Sequence, residues 1–146
     1  MKIILKIALA ATTLGLTAAW AADATLDAAT KEPGALVTAS GLVYRSLKDG
    51  SGNSPKASDK VKVNYRGTFP DGKEFDSSYK RNQPIEFPLS GVIPCWTEGV
   101  SRMKVGGKAK LTCPASIAYG ERGAGGVIPP NATLLFEVEL LGINGK

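Results

Sequence analysis

The two residue types that most often build nucleophilic and metal sites, histidine and cysteine, are absent or few in this chain. Its 146 residues include no histidine, which removes Ser-His and Cys-His nucleophile pairs and every His-ligated metal site. Cys95 and Cys113 are the only cysteines, too few to close a structural zinc site. No P-loop or dinucleotide fingerprint occurs. The cluster Gly123-Ala124-Gly125-Gly126 is not followed by a helix-forming run, so it offers no phosphate cradle. What the chain does concentrate is rings and branched apolar groups beside Pro and Gly. Val92-Ile93-Pro94-Cys95-Trp96-Thr97-Glu98-Gly99 is one such stretch; Ala118-Tyr119-Gly120, a Gly-rich loop and Val127-Ile128-Pro129-Pro130 make up the other. Large apolar groups on loops tend to line or cover a cleft. With Tyr65, Phe75, Asp76 and Phe136 they supply an aromatic-walled hole holding very few polar groups. Such a hole suits an apolar ligand and lacks the parts for acid–base or nucleophilic chemistry. No metal and no cofactor is expected.

These residues need a scaffold, and the hydrophobic pattern supplies one. Val61, Val63 and Tyr65 alternate with Lys60, Lys62, Asn64 and Arg66, a period of two with one dry face. Ile85, Phe87 and Leu89 form a shorter alternating run. Ala109, Leu111 and Cys113 form another, with Cys113 facing inward. Leu134, Phe136, Val138 and Leu140 form the last; Glu137 and Glu139 between them read as a solvated face. Leu42 to Leu47 reads as a strand before the turn-rich Asp49-Gly50-Ser51-Gly52-Asn53. Pro70-Asp71-Gly72-Lys73 signals a tight turn. The spacing predicts a helix from Pro94 to Met103, with Trp96, Val100 and Met103 on one stripe and Gly106-Gly107 after it. One antiparallel sheet with a polar outer face, packed on one short helix, defines an α+β domain.

Length allows one domain with its own core. The formal charge is +5, but no Lys/Arg run exceeds Lys80-Arg81, so no nucleic-acid face is expected. Residues 1–21 read as a secretory signal: Lys2 and Lys6, an apolar stretch from Ile7 to Ala19, and a small-x-small site at Ala19-Trp20-Ala21. The apolar stretch is short for a membrane span of about 20 residues, so cleavage near Ala21 and release into the periplasm, or secretion, are expected, without a stable membrane anchor. Residues 22–39 read as a linker or weakly ordered arm, and residues 40–146 as the domain. Nothing outside the domain offers a dimer seam, and a monomer is expected. An exported pair of cysteines meets an oxidising compartment. Cys95 and Cys113 are therefore either a staple between helix and sheet or two small buried thiols.

Several motifs in register carry a family resemblance. Val63-Asn64-Tyr65-Arg66-Gly67, Asp71 to Ser78, Val92-Ile93-Pro94-Cys95-Trp96, Ala118-Tyr119-Gly120 and Val127 to Leu134 resemble the FKBP family, the macrolide-binding peptidyl-prolyl cis-trans isomerases. The resemblance spans nearly everything from Gly41 to Ile143 and implies a half-barrel sheet wrapped around a short helix. It implies Trp96 as pocket floor, with Tyr65, Phe75, Val92, Ile93, Tyr119 and Phe136 as walls and Val127 and Ile128 on a flap. Asp76 becomes the chief polar side chain, while the Tyr119 hydroxyl and the Ile93 N–H offer hydrogen bonds. Ile85, where many relatives carry an aromatic, belongs to the same binding set. Ala124 stands near a flap position often held by His. The implied activity is prolyl isomerisation in exported, proline-containing unfolded or nascent polypeptides. Macrolides such as rapamycin or tacrolimus are the implied inhibitors. The alternative is a peptide-binding chaperone module whose turnover is incidental.

Overall fold

The computed structural model describes residues 17–145, with side chains from residue 24 onward. Most of the expected signal, residues 1–16, lies outside the described residues.

Among the described residues, seven antiparallel strands form one sheet. They are β1 (Ala35–Val37), β2 (Val43–Lys48), β3 (Lys60–Thr68), β4 (Glu74–Ser77), β5 (Ile85–Pro88), β6 (Lys108–Cys113) and β7 (Leu134–Ile143). The order is β1-β2-β6-β7-β3-β4, and β5 also pairs with β3. β3 is long enough to serve two partners on one edge. Its first half pairs with β5, Val63 opposite Ile85, and its last residues pair with β4, Gly67 opposite Asp76. Its other edge pairs with β7, Tyr65 opposite Val138. Period-two alternation turns one face of each long strand inward: Val61, Val63, Tyr65, Leu111, Leu134, Phe136, Val138 and Leu140 are all buried.

The helix inside this curved sheet is α2 (Pro94–Ser101); α1 (Thr17–Thr30) lies outside it. Pro94 opens α2, where a missing N–H costs nothing. The helix stops two residues before the predicted end, because Arg102 already caps it through bonds to the Gly99 and Val100 carbonyls. Trp96 and Val100 of the predicted inner stripe are buried, and so is Met103 just beyond the helix end. Gly99 lets the helix lie close on the sheet: a Cβ there would meet the Leu111 side chain at 2.7 Å. A disulfide joins Cys95 of α2 to Cys113 of β6, with Cα atoms 5.9 Å apart and both residues fully buried.

Residues 22–39, expected as a weakly ordered arm, carry the rest of α1 and all of β1. The segment lacks apolar periodicity, but alanine is the strongest helix former and supports α1 without it. Glu32 then ties the segment to the sheet, with its carboxylate 3.0 Å from the Lys110 ammonium and 3.6 Å from the Arg45 guanidinium. Arg45 Nε also donates to the Pro33 carbonyl at 3.0 Å. β1 completes the docking by pairing Ala35 with Arg45.

The bridge closes a loop of 18 residues, a constraint worth about 3 kcal/mol in the unfolded chain. The double variant Cys95→Ala/Cys113→Ala is expected to lose about that much unfolding free energy in urea. An unchanged urea midpoint would show that the bridge contributes nothing.

Candidate active site

A hollow of about 430 Å³ opens between α2, the inner face of the sheet and the loop carrying Tyr119. Trp96 projects into it from the first turn of α2. Three rings meet the indole edge-on: Tyr65 at 5.3 Å, Phe87 at 5.5 Å and Phe136 at 5.5 Å between centroids. Edge-to-face contacts of this kind place the positive rim of one ring on the negative face of another and fix its tilt. Phe75 extends the wall by meeting Phe136 edge-on at 5.6 Å. Gly67 makes that approach possible, since a Cβ there would stand 2.5 Å from Phe75 Cζ. Val92 and Ile93 close the side where the chain enters α2.

Polar groups sit at the rim. The Tyr65 hydroxyl donates to Asp76 Oδ2. Arg81 Nη1 donates to Asp76 Oδ1 at 3.0 Å, and its Nη2 lies 3.4 Å from the Tyr65 hydroxyl. The Ser77 amide adds a further bond to Asp76 Oδ1 at 2.9 Å. Burial pushes the Asp76 carboxyl up, but the Tyr65 hydroxyl, Arg81 and the Ser77 amide outweigh it, and the group titrates below the usual carboxylate range. Tyr65 moves the other way: burial and its bond to Asp76 raise its phenol. Asp76 is thus a fixed anion with committed acceptors, unsuited to delivering a proton near neutral pH. Three donors remain uncommitted. The Tyr119 hydroxyl has no partner among the described residues, and the Ile93 N–H donates to no backbone acceptor there. The Trp96 indole N–H is buried without a partner.

Of the residues singled out in the sequence, Tyr65, Phe75, Asp76, Val92, Ile93, Trp96, Tyr119 and Phe136 come together around this hollow. Ile85, Val127 and Ile128 do not line it. Ile85 packs beneath, against the buried core. Val127 and Ile128 face a second hollow on the far side of their loop. Phe87 and Arg81 are the residues that sequence reasoning missed. Phe87 shares the inward face of β5 with Ile85, and alternation alone could have nominated it. Arg81 follows Asp76 by five residues and returns to it only because Tyr79–Arg81 forms a 3-10 turn ended by Asn82 in the left-handed region, at φ 51°.

A helix inside an antiparallel half-barrel, with a tryptophan at the base of a ring-lined hole, defines a class of protein already suggested by the motifs. Residues 52–141 match the family described as FKBP-type peptidyl-prolyl cis-trans isomerase, and the chain belongs to that family. The FKBP-type peptidyl-prolyl cis-trans isomerase FkpA of Escherichia coli strain K12 is 55% identical over 113 residues, which are 77% of this chain and 42% of that protein. The crystal structure of FkpA from Escherichia coli aligns with a TM-score of 0.83 at 45% identity, covering 95% of this chain and 64% of that one. A peptidyl-prolyl cis-trans isomerase from Pseudomonas syringae aligns with a TM-score of 0.81 at 38% identity, covering 88% of this chain and 96% of that one. The chain therefore spans less than half the length of the FkpA protein that it matches.

The rim network has a pH signature. Asp76 has a depressed folded pKa, so its contribution to the site is complete above the ordinary carboxylate pKa and is lost as pH falls through the lower folded value. Replacing Arg81 by Ala removes one of the groups that lower it. An NMR titration of the Asp76 carboxyl carbon is expected to show its midpoint at higher pH in Arg81→Ala than in the natural chain. Coincident titration curves would mean that Arg81 does not hold the carboxylate.

Proposed function

We propose that the hollow over Trp96 accelerates cis–trans exchange of X–Pro bonds in polypeptides. The observation that carries this reading is the edge-on enclosure of the indole by Tyr65, Phe87 and Phe136, with every charged group kept at the rim. The uncatalysed barrier is about 18–20 kcal/mol, because twisting the amide breaks its resonance. The two end states differ by only about 0.5–1 kcal/mol. No covalent bond has to be made or broken, so a catalyst needs only to favour the twisted form. Lowering the barrier by about 7 kcal/mol would speed exchange about 10⁵-fold.

A planar amide carries a large dipole and a well-hydrated carbonyl. A half-rotated amide has less charge separation and loses less on entering a dry, ring-lined space. The hollow thus binds the twisted form better than either planar one. Asp76, fixed by Tyr65 and Arg81, orients the chain at the rim through its hydrogen bonds. The Ile93 N–H and the Tyr119 hydroxyl are donors for substrate carbonyls. Ring walls of this size favour an apolar residue before the proline. They also suit macrolides such as rapamycin or tacrolimus, which are the proposed inhibitors.

The proposed clients are exported polypeptides whose folding waits on proline exchange. The lysine-bearing, apolar start of the sequence supports export, removal of the leader near Ala21 and action in the periplasm or outside the cell; the proposed state there is a monomer. Among the described residues no helix is long and apolar enough to cross a membrane.

A protease-coupled assay on X–Pro tetrapeptides tests the proposal. Phe136→Ala removes a ring against the indole, and Asp76→Ala removes the rim anion. Each is expected to lower kcat/KM by about tenfold or more, the loss of one well-formed contact in the bound transition state. Rapamycin is expected to suppress the activity of the natural chain. Unchanged rates in both variants would defeat the site assignment.

A further inference from the structure

The second hollow is larger, about 790 Å³, and lies between the β3–β4 turn and the loop after Tyr119. Its apolar surface comes from Phe69, Pro70, Val127, Ile128 and Pro129. Val127 is 56% exposed, unusual for a branched apolar residue held on an ordered loop. The loop is preformed. Ala124 and Ile128 exchange backbone bonds at 2.9 and 3.0 Å, and Gly123 allows the close return with φ at +66°, where a Cβ would stand 2.1 Å from the Ile128 carbonyl oxygen.

The hollow's charge is net positive, Lys73 and Arg122 against Asp71. Asp71 is committed to its own turn, accepting the Lys73 amide at 2.9 Å. Lys73 and Arg122 also line the hollow, and neither side chain has a partner among the described residues. The hollow also neighbours the prolyl site across one pair of packed rings. Phe75, a wall of the first hollow, packs on Phe69, a wall of the second, at 4.9 Å between ring centroids. From Phe136 over Phe75 to Phe69 the steps are 5.6 and 4.9 Å, a path that about three extended residues cover at about 3.3 Å each.

We infer that this second hollow is an extended subsite. It takes a segment of the same polypeptide about three residues away from the prolyl bond, an apolar side chain with a neighbouring Asp or Glu. The inference rests on the isomerase reading of the first hollow and deepens it. The apolar residue would pack on Val127, Pro129 and Phe69, and the carboxylate would meet Lys73 and Arg122. A short peptide would use only the first hollow; an unfolded chain would be held at two points, which raises its effective occupancy.

Exchange NMR on defined peptides tests this. One is an Ala-Leu-Pro-Phe tetrapeptide. The others extend it by four residues on either the N- or the C-terminal side, ending in Leu-Glu or in Leu-Lys. One of the Leu-Glu peptides is expected to show kcat/KM about tenfold above the tetrapeptide, the scale of a partly buried apolar contact and a solvent-exposed ion pair. Its Leu-Lys counterpart should show much less gain. The double variant Lys73→Glu/Arg122→Glu should lose the gain while turning over the tetrapeptide like the natural chain. Equal kcat/KM for all peptides, or a gain that survives the charge reversal, would overturn the subsite and leave the isomerase reading intact. Absence of tetrapeptide turnover by the natural chain would overturn both.

Discussion

The Trp96 indole is the part of this structure on which the others converge. Its position is determined from two directions. From below, Cys95 ties the first turn of α2 to β6, and Gly99 lets the helix sink onto Leu111. From the sides, Tyr65 of β3, Phe87 of β5 and Phe136 of β7 each present an edge to it. Three strands and one helix therefore share a single side chain as their common contact. A floor held this way has its place set by contacts from four elements, the preorganisation that the proposed preference for one amide geometry requires.

The electrostatics follow from the same arrangement. The interior of the hollow has rings and branched side chains, while the one carboxylate that lines it among the described residues is drawn to the rim by Tyr65, Arg81 and the Ser77 amide. Tyr65 links the two zones, because its ring lies against the indole and its hydroxyl is bonded to Asp76. A charge placed deeper would demand a partner or neutralise itself. Keeping it outside leaves an interior of rings and branched side chains, as the proposed preference for a less charge-separated amide requires. The same logic extends across the Phe75–Phe69 contact to the second hollow, where apolar surface again lies beneath unpaired charge at the edge.

Much of this was legible in the sequence. Alternation placed the inward residues of β3, β6 and β7, and the stripe of Trp96, Val100 and Met103 marked α2. Both signals arise from simple periods that burial enforces. The features that escaped reading are those that depend on how the chain reverses. Arg81 reaches Asp76 only through a 3-10 turn and a left-handed Asn82. Val127 and Ile128 look like pocket residues in sequence, yet the tight return at Gly123 to Ile128 sends them to the neighbouring hollow. Ile85 and Phe87 share a face, and only their positions along β5 decide which one meets the indole. Residues 22–39 read as a linker or weakly ordered arm because α1 rests on alanine propensity and β1 on one acidic clamp, neither of which is periodic.

In the proposed mechanism a ring-lined space favours the twisted amide without any proton changing hands. The solvent deuterium isotope effect on kcat/KM for a prolyl peptide tests it most directly. If the surroundings of the indole act only by geometry and polarity, the rates in light and heavy water will coincide once viscosity is matched. A clear slowing in heavy water would place a proton transfer in the transition state and contradict the account.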